Sequence, residues 1–494
     1  FLSTKRLSEI LKRYLMKSSN YVAGQWVEGT GSFNNINPSD TSDQIDSYTT
    51  ATAEQFEQAV QAAIKAQKEW EKVGIEKKSQ ILIKIGDELI AKSKELGELL
   101  SREEGKPLAE GIGEVARAGQ QFQYYGSECL RLYGERIPST RQGFQVEISR
   151  EPLGVIGIIS PWNFPVAIPA WKAAPAMMCG NAVILKPASL TIGSAVALTE
   201  IIAKQDIPAG LFNLVLGSGS DIGHKISTHP EIAAITFTGS VEVGKKLYQN
   251  SSSTMKKMQM EMGSKNPLVV MDDADLKTAI TCAVNGAYGG TGQKCTASSR
   301  LIVHENIYKD FVKGLLESIK NLKVGHALDE GTQMGPASNQ SQFESNLEYI
   351  DIGKGEAKLE FGGNPMNMRT PGYYMEPTLF IDGDNKSRIN QEEMFGPIAC
   401  VIPTKNLDHA LEIANATDFG LSSGIITQSL ANAEFFKQNI KTGVTTVNLP
   451  TAGLDYHVPF GGRKASSFGP REQGTYARDF YSQVKTSYIN SGSL

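Results

Sequence analysis

VIGIISPWNFPVAIPAWKAAPAMMCGNAVILKPAS, residues 155–189, holds two short apolar runs, 155–159 and 182–185, with a helix-forming segment near 169–179 between them. Apolar runs of four to eight residues bounded by turn residues read as buried strands. The pattern continues toward the C-terminus. Further apolar runs lie at 212–216 and 233–237, helical segments at 191–204 and 220–227, and another helix after Ser240. Such alternation builds a doubly wound, mostly parallel sheet, which binds ligands at the carboxyl ends of its strands. Those ends are 160–165, 186–189, 217–220 and 238–240. A second αβ set follows Asn266, with strands expected at 268–271, 301–303, 399–402, 424–426 and 444–447. Its helices fit near 275–288, 306–320, 407–416 and 430–438. The fold class is therefore α/β, with two doubly wound αβ lobes and a cleft between them.

On the N-terminal side, residues 20–50 are turn-rich, and helices begin after them. Thr52 and Gln55 have capping-box spacing, with Phe56, Val60, Ile64 and Trp70 on one face. Further helical regions are predicted over 76–103 and 111–132. The hairpin-like piece 144–150 and the tail 476–489 belong to neither lobe, and strands of that kind often pair with another subunit. Residues 1–15, FLSTKRLSEILKRYL, are basic and weakly amphipathic. They read as a leader or an added segment ahead of Met16, with the remnant of a mitochondrial-type presequence as the other reading.

The chain has 494 residues, long enough for two or three domains. Net charge is −4 and no basic stripe stands out, so nucleic acid is not an expected partner. No apolar run is long enough to span a bilayer, so a membrane is not expected either. The five cysteines are scattered, with no CxxC pair. That spacing argues against a disulfide framework or a zinc site and for a reducing, cytoplasmic setting with no metal.

One cysteine stands apart. Cys295 lies in GGTGQKCTASSR, residues 289–300, among small and polar neighbours with Lys294 beside it. These surroundings leave room for a substrate and are expected to favour the attacking thiolate. PWNFP, 161–165, ends a strand and offers the Asn163 amide as an oxyanion donor. Lys186, at the next strand end, suits ribose hydroxyls or a phosphate. Nearby Ser189 stands where a carboxylate would repel a 2′ phosphate, so NADP should be tolerated. Gly239, Ser240 and Gly244 make a strand-to-helix turn suited to a pyrophosphate. Glu261 in EMGSKNP is a carboxylate between the lobes, able to act as a general base for water. Glu393 in EEMFGP is placed to bond a ribose.

PWNFP, FTGS, EMGSKNP, GQKC, EEMFGP and PFGGRK occur in this order, with 34 residues from Glu261 to Cys295 (295 − 261). From about residue 20 onward the chain resembles the aldehyde dehydrogenase superfamily. The resemblance implies Cys295 as nucleophile, Asn163 as oxyanion holder and Glu261 as base. It implies a cofactor, NADP or NAD, held by Ile159, Ser160, Pro161, Trp162, Lys186, Ser189, Gly219, Gly239, Ser240, Glu393 and Phe395. It implies thiohemiacetal formation, hydride transfer to the nicotinamide, and hydrolysis of a thioester. It also implies a dinucleotide-binding domain over 16–140 and 154–264, a catalytic domain over 265–460, and oligomerisation strands over 141–153 and 475–494. The implied assembly is a homodimer or homotetramer. Two departures stand out. Ser264 replaces a usual glycine and is expected to tighten the turn carrying Glu261. SSFG, 466–469, replaces the usual SGxG, in a loop not expected to touch the chemistry.

Residues 450–474 look most like the 2,5-dioxovalerate (α-ketoglutarate semialdehyde) dehydrogenases, so the expected substrate is an aldehyde carrying a carboxylate. Arg117, Gln121 and Tyr124 share one face of the third helix. In the family that helix lines the substrate tunnel, along with positions matching Phe164, Trp171 and Phe460. Arg117 is expected to pair with the substrate carboxylate, and Ser298 to donate to it. Two other readings of the same residues stay open: a succinate semialdehyde dehydrogenase, and a binding or structural protein that keeps the fold without the activity.

Overall fold

In the computed structural model, which describes residues 20–490, the first apolar run forms the fully buried strand Val155–Ile159. Residues 1–19, the expected leader among them, and 491–494 lie outside the described residues. Val155–Ile159 sits inside an eight-stranded sheet. In spatial order the strands are Ser467–Phe468, Lys257–Glu261, Ile232–Thr238, Val155–Ile159, Ala182–Lys186, Phe212–Leu214, Asn20–Val22 and Gln25–Val27. The five central strands are parallel. From Val155–Ile159 the chain steps through Ala182–Lys186 to Phe212–Leu214, then returns to the other side at Ile232–Thr238. The order therefore reverses between Val155–Ile159 and Ile232–Thr238, and a crevice opens beyond their carboxyl ends. Ser160 and Gly239 begin the two loops that flank it.

A seven-stranded sheet forms the second lobe, in the order Lys358–Phe361, Thr378–Ile381, Ile398–Thr404, Arg300–His304, Pro267–Val270, Ser422–Ile426 and Val444–Val447. Its parallel core places residue 295 just before the strand Arg300–His304. The third sheet is antiparallel: Ser482–Asn490, Phe144–Pro152 and Glu135–Pro138. This corrects one expected boundary. Residues 135–138 pair with Phe144–Pro152 rather than joining the first lobe. Ser467–Phe468, beyond the expected end of the catalytic domain, completes the first sheet.

Among the helices, Ala53–Glu71 starts on Thr52 with both hydrogen bonds of the capping box. The region 76–103 is two helices, Ile75–Ala91 and Ser93–Glu104, broken at Lys92. Leu108–Glu128 packs closely on Ile75–Ala91, because a Cβ on Gly86 would lie 2.5 Å from the Gly119 carbonyl oxygen. The helix Gln340–Glu356 escaped the sequence reading. It buries only Asn346, Ile350 and Gly353, so no apolar period marks it. No described helix is long and apolar enough to cross a membrane.

Candidate active site

The helix Leu276–Tyr288 runs into a turn in which Gly290, Thr291 and Gly292 all have positive φ. Gly292 permits close contact: a Cβ there would lie 2.1 Å from the Gly396 carbonyl oxygen. The turn delivers half-buried Cys295. Asn266 Nδ2 holds the following backbone, donating to the carbonyls of Cys295 at 2.8 Å and Ala297 at 2.9 Å.

The expected stabilisation of the thiolate by Lys294 is not realised. Lys294 Nζ forms an ion pair with Glu110 at 3.0 Å, which draws its charge away from the sulfur. Burial pushes the Cys295 thiol well up, and the carboxylates of Glu393, Glu261 and Glu472 add to that.

Asn163 is buried beside the nucleophile loop, its Nδ2 donating to the Gln293 carbonyl at 3.0 Å. One amide hydrogen is used there and the other remains for a ligand. The Asn163 carbonyl accepts from Lys106 Nζ at 2.5 Å. Lys106 also pairs with Glu114 at 2.8 Å, and Glu114 accepts from the backbone N–H groups of Val166 and Ala167. This buried network fixes the loop that carries Asn163.

Glu261 ends the strand Lys257–Glu261 and is buried. Its Oε2 accepts a hydrogen bond from Ser467 Oγ at 2.6 Å. Burial pushes its carboxyl well above the usual range, and nearby Glu472 pushes in the same direction. The expectation that the loop after 466 stays clear of the chemistry is therefore wrong. The cause is the antiparallel pairing of Ser467–Phe468 with Lys257–Glu261, which sets Ser467 opposite Glu261. Ser264 donates two hydrogen bonds beside it. Its hydroxyl donates to Asn266 Oδ1 at 2.8 Å, and its N–H donates to Glu393 Oε1 at 2.8 Å.

A cavity of about 300 Å³ opens at the switch point, with Cys295, Asn163, Ser240, Glu393, Phe395 and Trp162 among its lining residues. Trp162 and Phe395 meet edge to face, with centroids 5.4 Å apart. Ser160 Oγ and Thr238 Oγ1 are buried without a partner in the protein, so the crevice offers unused polar atoms. Gly263 lies so close to Glu393 that a Cβ would sit 2.0 Å from its Oε2. Ser240 caps the helix Val241–Ser251 by accepting from the Val243 N–H at 3.4 Å. Burial lifts the Glu393 carboxyl to about 7. Ile159 is buried, Pro161 is half-buried, and Gly239 follows Thr238 into the cavity wall. Lys186 lies at its strand end with Nζ donating to the Pro187 carbonyl at 2.8 Å, and burial lowers it to about 8. Ser189 is exposed in the loop after Ala182–Lys186, and exposed Gly219 opens the short helical turn Gly219–Gly223. Unpartnered hydroxyls, a carboxylate and a helix N-terminus at one crevice fit a nicotinamide dinucleotide.

The expected substrate residues do not share one environment. Arg117 lies over the Tyr456 ring, 5.5 Å from its centroid, and Tyr124 meets the same ring at 6.0 Å. Half-buried Trp171 packs on Phe460 at 6.0 Å, and Phe164 packs under Lys106 Nζ at 4.2 Å. Gln121 is fully buried, its Nε2 donating to Gln473 Oε1 at 3.2 Å. Ser298 is fully buried too and shares a 2.6 Å hydrogen bond with Thr451 Oγ1. Its side chain faces Gly286 of the preceding helix, so Ser298 braces the 450–453 loop instead of facing a substrate.

The sequence reading missed Lys172 and Glu472, a fully buried ion pair next to Glu261. Lys172 stands in AIPAWKAAPAMM, and a lone charge in so apolar a helix was the available signal.

A family model described as "Aldehyde dehydrogenase family" matches residues 26–487. An alpha-ketoglutaric semialdehyde dehydrogenase of Bacillus subtilis is 40% identical over 475 residues, covering 95% of this chain and 97% of that protein. A 2,5-dioxopentanoate dehydrogenase of Saccharolobus solfataricus is 38% identical over 478 residues, covering 96% and 99%. A betaine aldehyde dehydrogenase of Staphylococcus aureus, solved with NAD+, superposes with a TM-score of 0.95 at 30% identity, covering 98% of this chain and 97% of that one.

Proposed function

This chain belongs to the aldehyde dehydrogenase family, and from that premise we propose that it oxidises 2,5-dioxovalerate to 2-oxoglutarate with NADP or NAD. It is an NAD(P)-dependent aldehyde dehydrogenase. The observation that carries the reaction is that Cys295 and Asn163 share one cavity with the residues suited to the cofactor. The Cys295 sulfur attacks the aldehyde carbon. The second Asn163 amide hydrogen and the Cys295 backbone N–H receive the alkoxide. When bound, the oxidised nicotinamide supplies the two-electron acceptor that leaves a thioester on Cys295. Glu261, once ionised, takes a proton from the water that hydrolyses it. Lys186, with no carboxylate at Ser189, supports NADP as the preferred cofactor.

For the substrate, the names of the two relatives and the placement of Arg117 point the same way. Stacking on Tyr456 holds the guanidinium while leaving its edge N–H groups for a carboxylate. Arg117→Ala is expected to raise KM for 2,5-dioxovalerate roughly 10- to 100-fold, the worth of a charge-assisted hydrogen bond, and to leave propanal nearly unchanged. Equal effects on both would remove Arg117 from recognition. The activity test is kcat/KM for 2,5-dioxovalerate against succinate semialdehyde, with each cofactor. A preference for succinate semialdehyde overturns the substrate. The third sheet exposes Ile137, Val484 and Tyr488, and these apolar side chains support self-assembly as a homodimer or homotetramer.

A further inference from the structure

The base has a neighbour that the common form of this loop lacks. We propose that Ser467 is a positioning residue for Glu261: its hydroxyl fixes the carboxylate on the edge-strand side of the cavity and donates to its ionised form. This rests on Glu261 being the base. Three observations carry it. Ser467 stands directly across the strand pair from Glu261. Its Oγ accepts from the Gly462 N–H at 2.6 Å, so an acceptor site is taken and the hydroxyl hydrogen is directed to Glu261 Oε2 at 2.6 Å. The other carboxylate oxygen lies against Gly461 and the Arg471 side chain, since a Cβ on Gly461 would lie 2.6 Å from Glu261 Oε1 and 2.8 Å from Arg471 Nη1. Met262 and Gly263 face the cofactor cavity, while the carboxylate between them and the edge strand is held on Ser467. A glycine at 467 would leave that oxygen without this donor.

The charged and titratable groups around Glu261 are Glu472, Lys172, Arg471 and Cys295. Burial and Glu472 favour the protonated acid. Ser467, Lys172 and Arg471 favour the carboxylate. Removing the hydroxyl therefore raises the pKa of the base, and activity that requires the carboxylate is lost at a higher pH.

The test is hydrolysis of 4-nitrophenyl acetate by the full chain without cofactor. The burst of 4-nitrophenolate reports acylation of Cys295, and the steady phase reports deacylation. In Ser467→Ala and Ser467→Gly the acid limb of the steady phase is expected to move up by about one pH unit with the burst amplitude retained. Ser467→Thr, which keeps the hydroxyl, restores the limb. An unmoved limb in Ser467→Ala overturns the inference, and so does an equal shift in Ser467→Thr. Glu261→Gln separates the two ideas: it should abolish the limb, and a limb that survives it overturns the base assignment itself.

Discussion

Cys295→Ala lowers kcat/KM for every aldehyde by roughly 10⁴-fold or more, because Cys295 is the one thiol among the described residues lining the cavity. The other four cysteines cannot substitute. Cys129, Cys179, Cys282 and Cys400 are buried in the hydrophobic cores. Burial pushes the thiols of Cys129 and Cys179 up to about 12 and that of Cys400 to about 11. Dinucleotide binding is retained in the variant, since a truncation at Cβ leaves the Ser160, Thr238 and Glu393 side chains in place. The same reasoning sets the pH dependence of the wild-type thiol. Only the thiolate is alkylated, and the folded-state pKa is raised, so each pH unit below it lowers the reactive fraction about tenfold. Iodoacetamide should therefore label Cys295 slowly at neutral pH and progressively faster through pH 9 without a plateau. Peptide mass mapping identifies the labelled residue. A plateau near pH 7 would show that a cation reaches the sulfur despite the pairing of Lys294 with Glu110.

How much of this was legible depended on how local each signal was. The strands Val155–Ile159 and Ala182–Lys186 declared themselves because both faces are buried and the runs are continuously apolar. Thr52 and Gln55 announced a helix start because the cap is made within four residues. Cys295, Asn163 and Glu261 were visible as motif residues, but their electrostatics were not. Lys294 is next to Cys295 in the chain, yet its partner, Glu110, lies on another helix. Ser467 and Glu261 are 206 positions apart and Glu472 and Lys172 are 300 apart. Each pair is joined only by sheet formation and packing. Ser298 misled for the reverse reason. Its position three residues after the nucleophile suggested substrate contact, whereas the strand that follows turns it toward Thr451.

Those distant pairs produce the second large effect. In Glu472→Leu, Lys172 keeps its charge at zero exposure with only Thr236 Oγ1, at 2.8 Å, as a partner. Breaking a buried pair on one side costs about 3–5 kcal/mol, which denaturant unfolding would read directly. Trp171 Nε1 also loses its acceptor, Glu472 Oε2 at 2.7 Å, so the Trp171–Phe460 contact should loosen with it. The double variant Lys172→Met/Glu472→Leu removes both charges and should recover most of the loss, because a buried ion pair gains little over well-packed apolar side chains. Unchanged stability in the single variant would mean that Lys172 sheds its proton or reaches water. The catalytic consequence has the opposite sign to that of Ser467→Ala. Glu472 is a carboxylate that pushes the Glu261 carboxyl up. Replacing it with an uncharged side chain lowers that pKa, keeps Glu261 ionised further into acid, and moves the acid limb of deacylation down. Glu472→Gln, which preserves the side-chain shape, makes that measurement with the least disturbance of packing. A limb that moves up or stays in place would show that Glu261 titrates independently of the buried pair beside it.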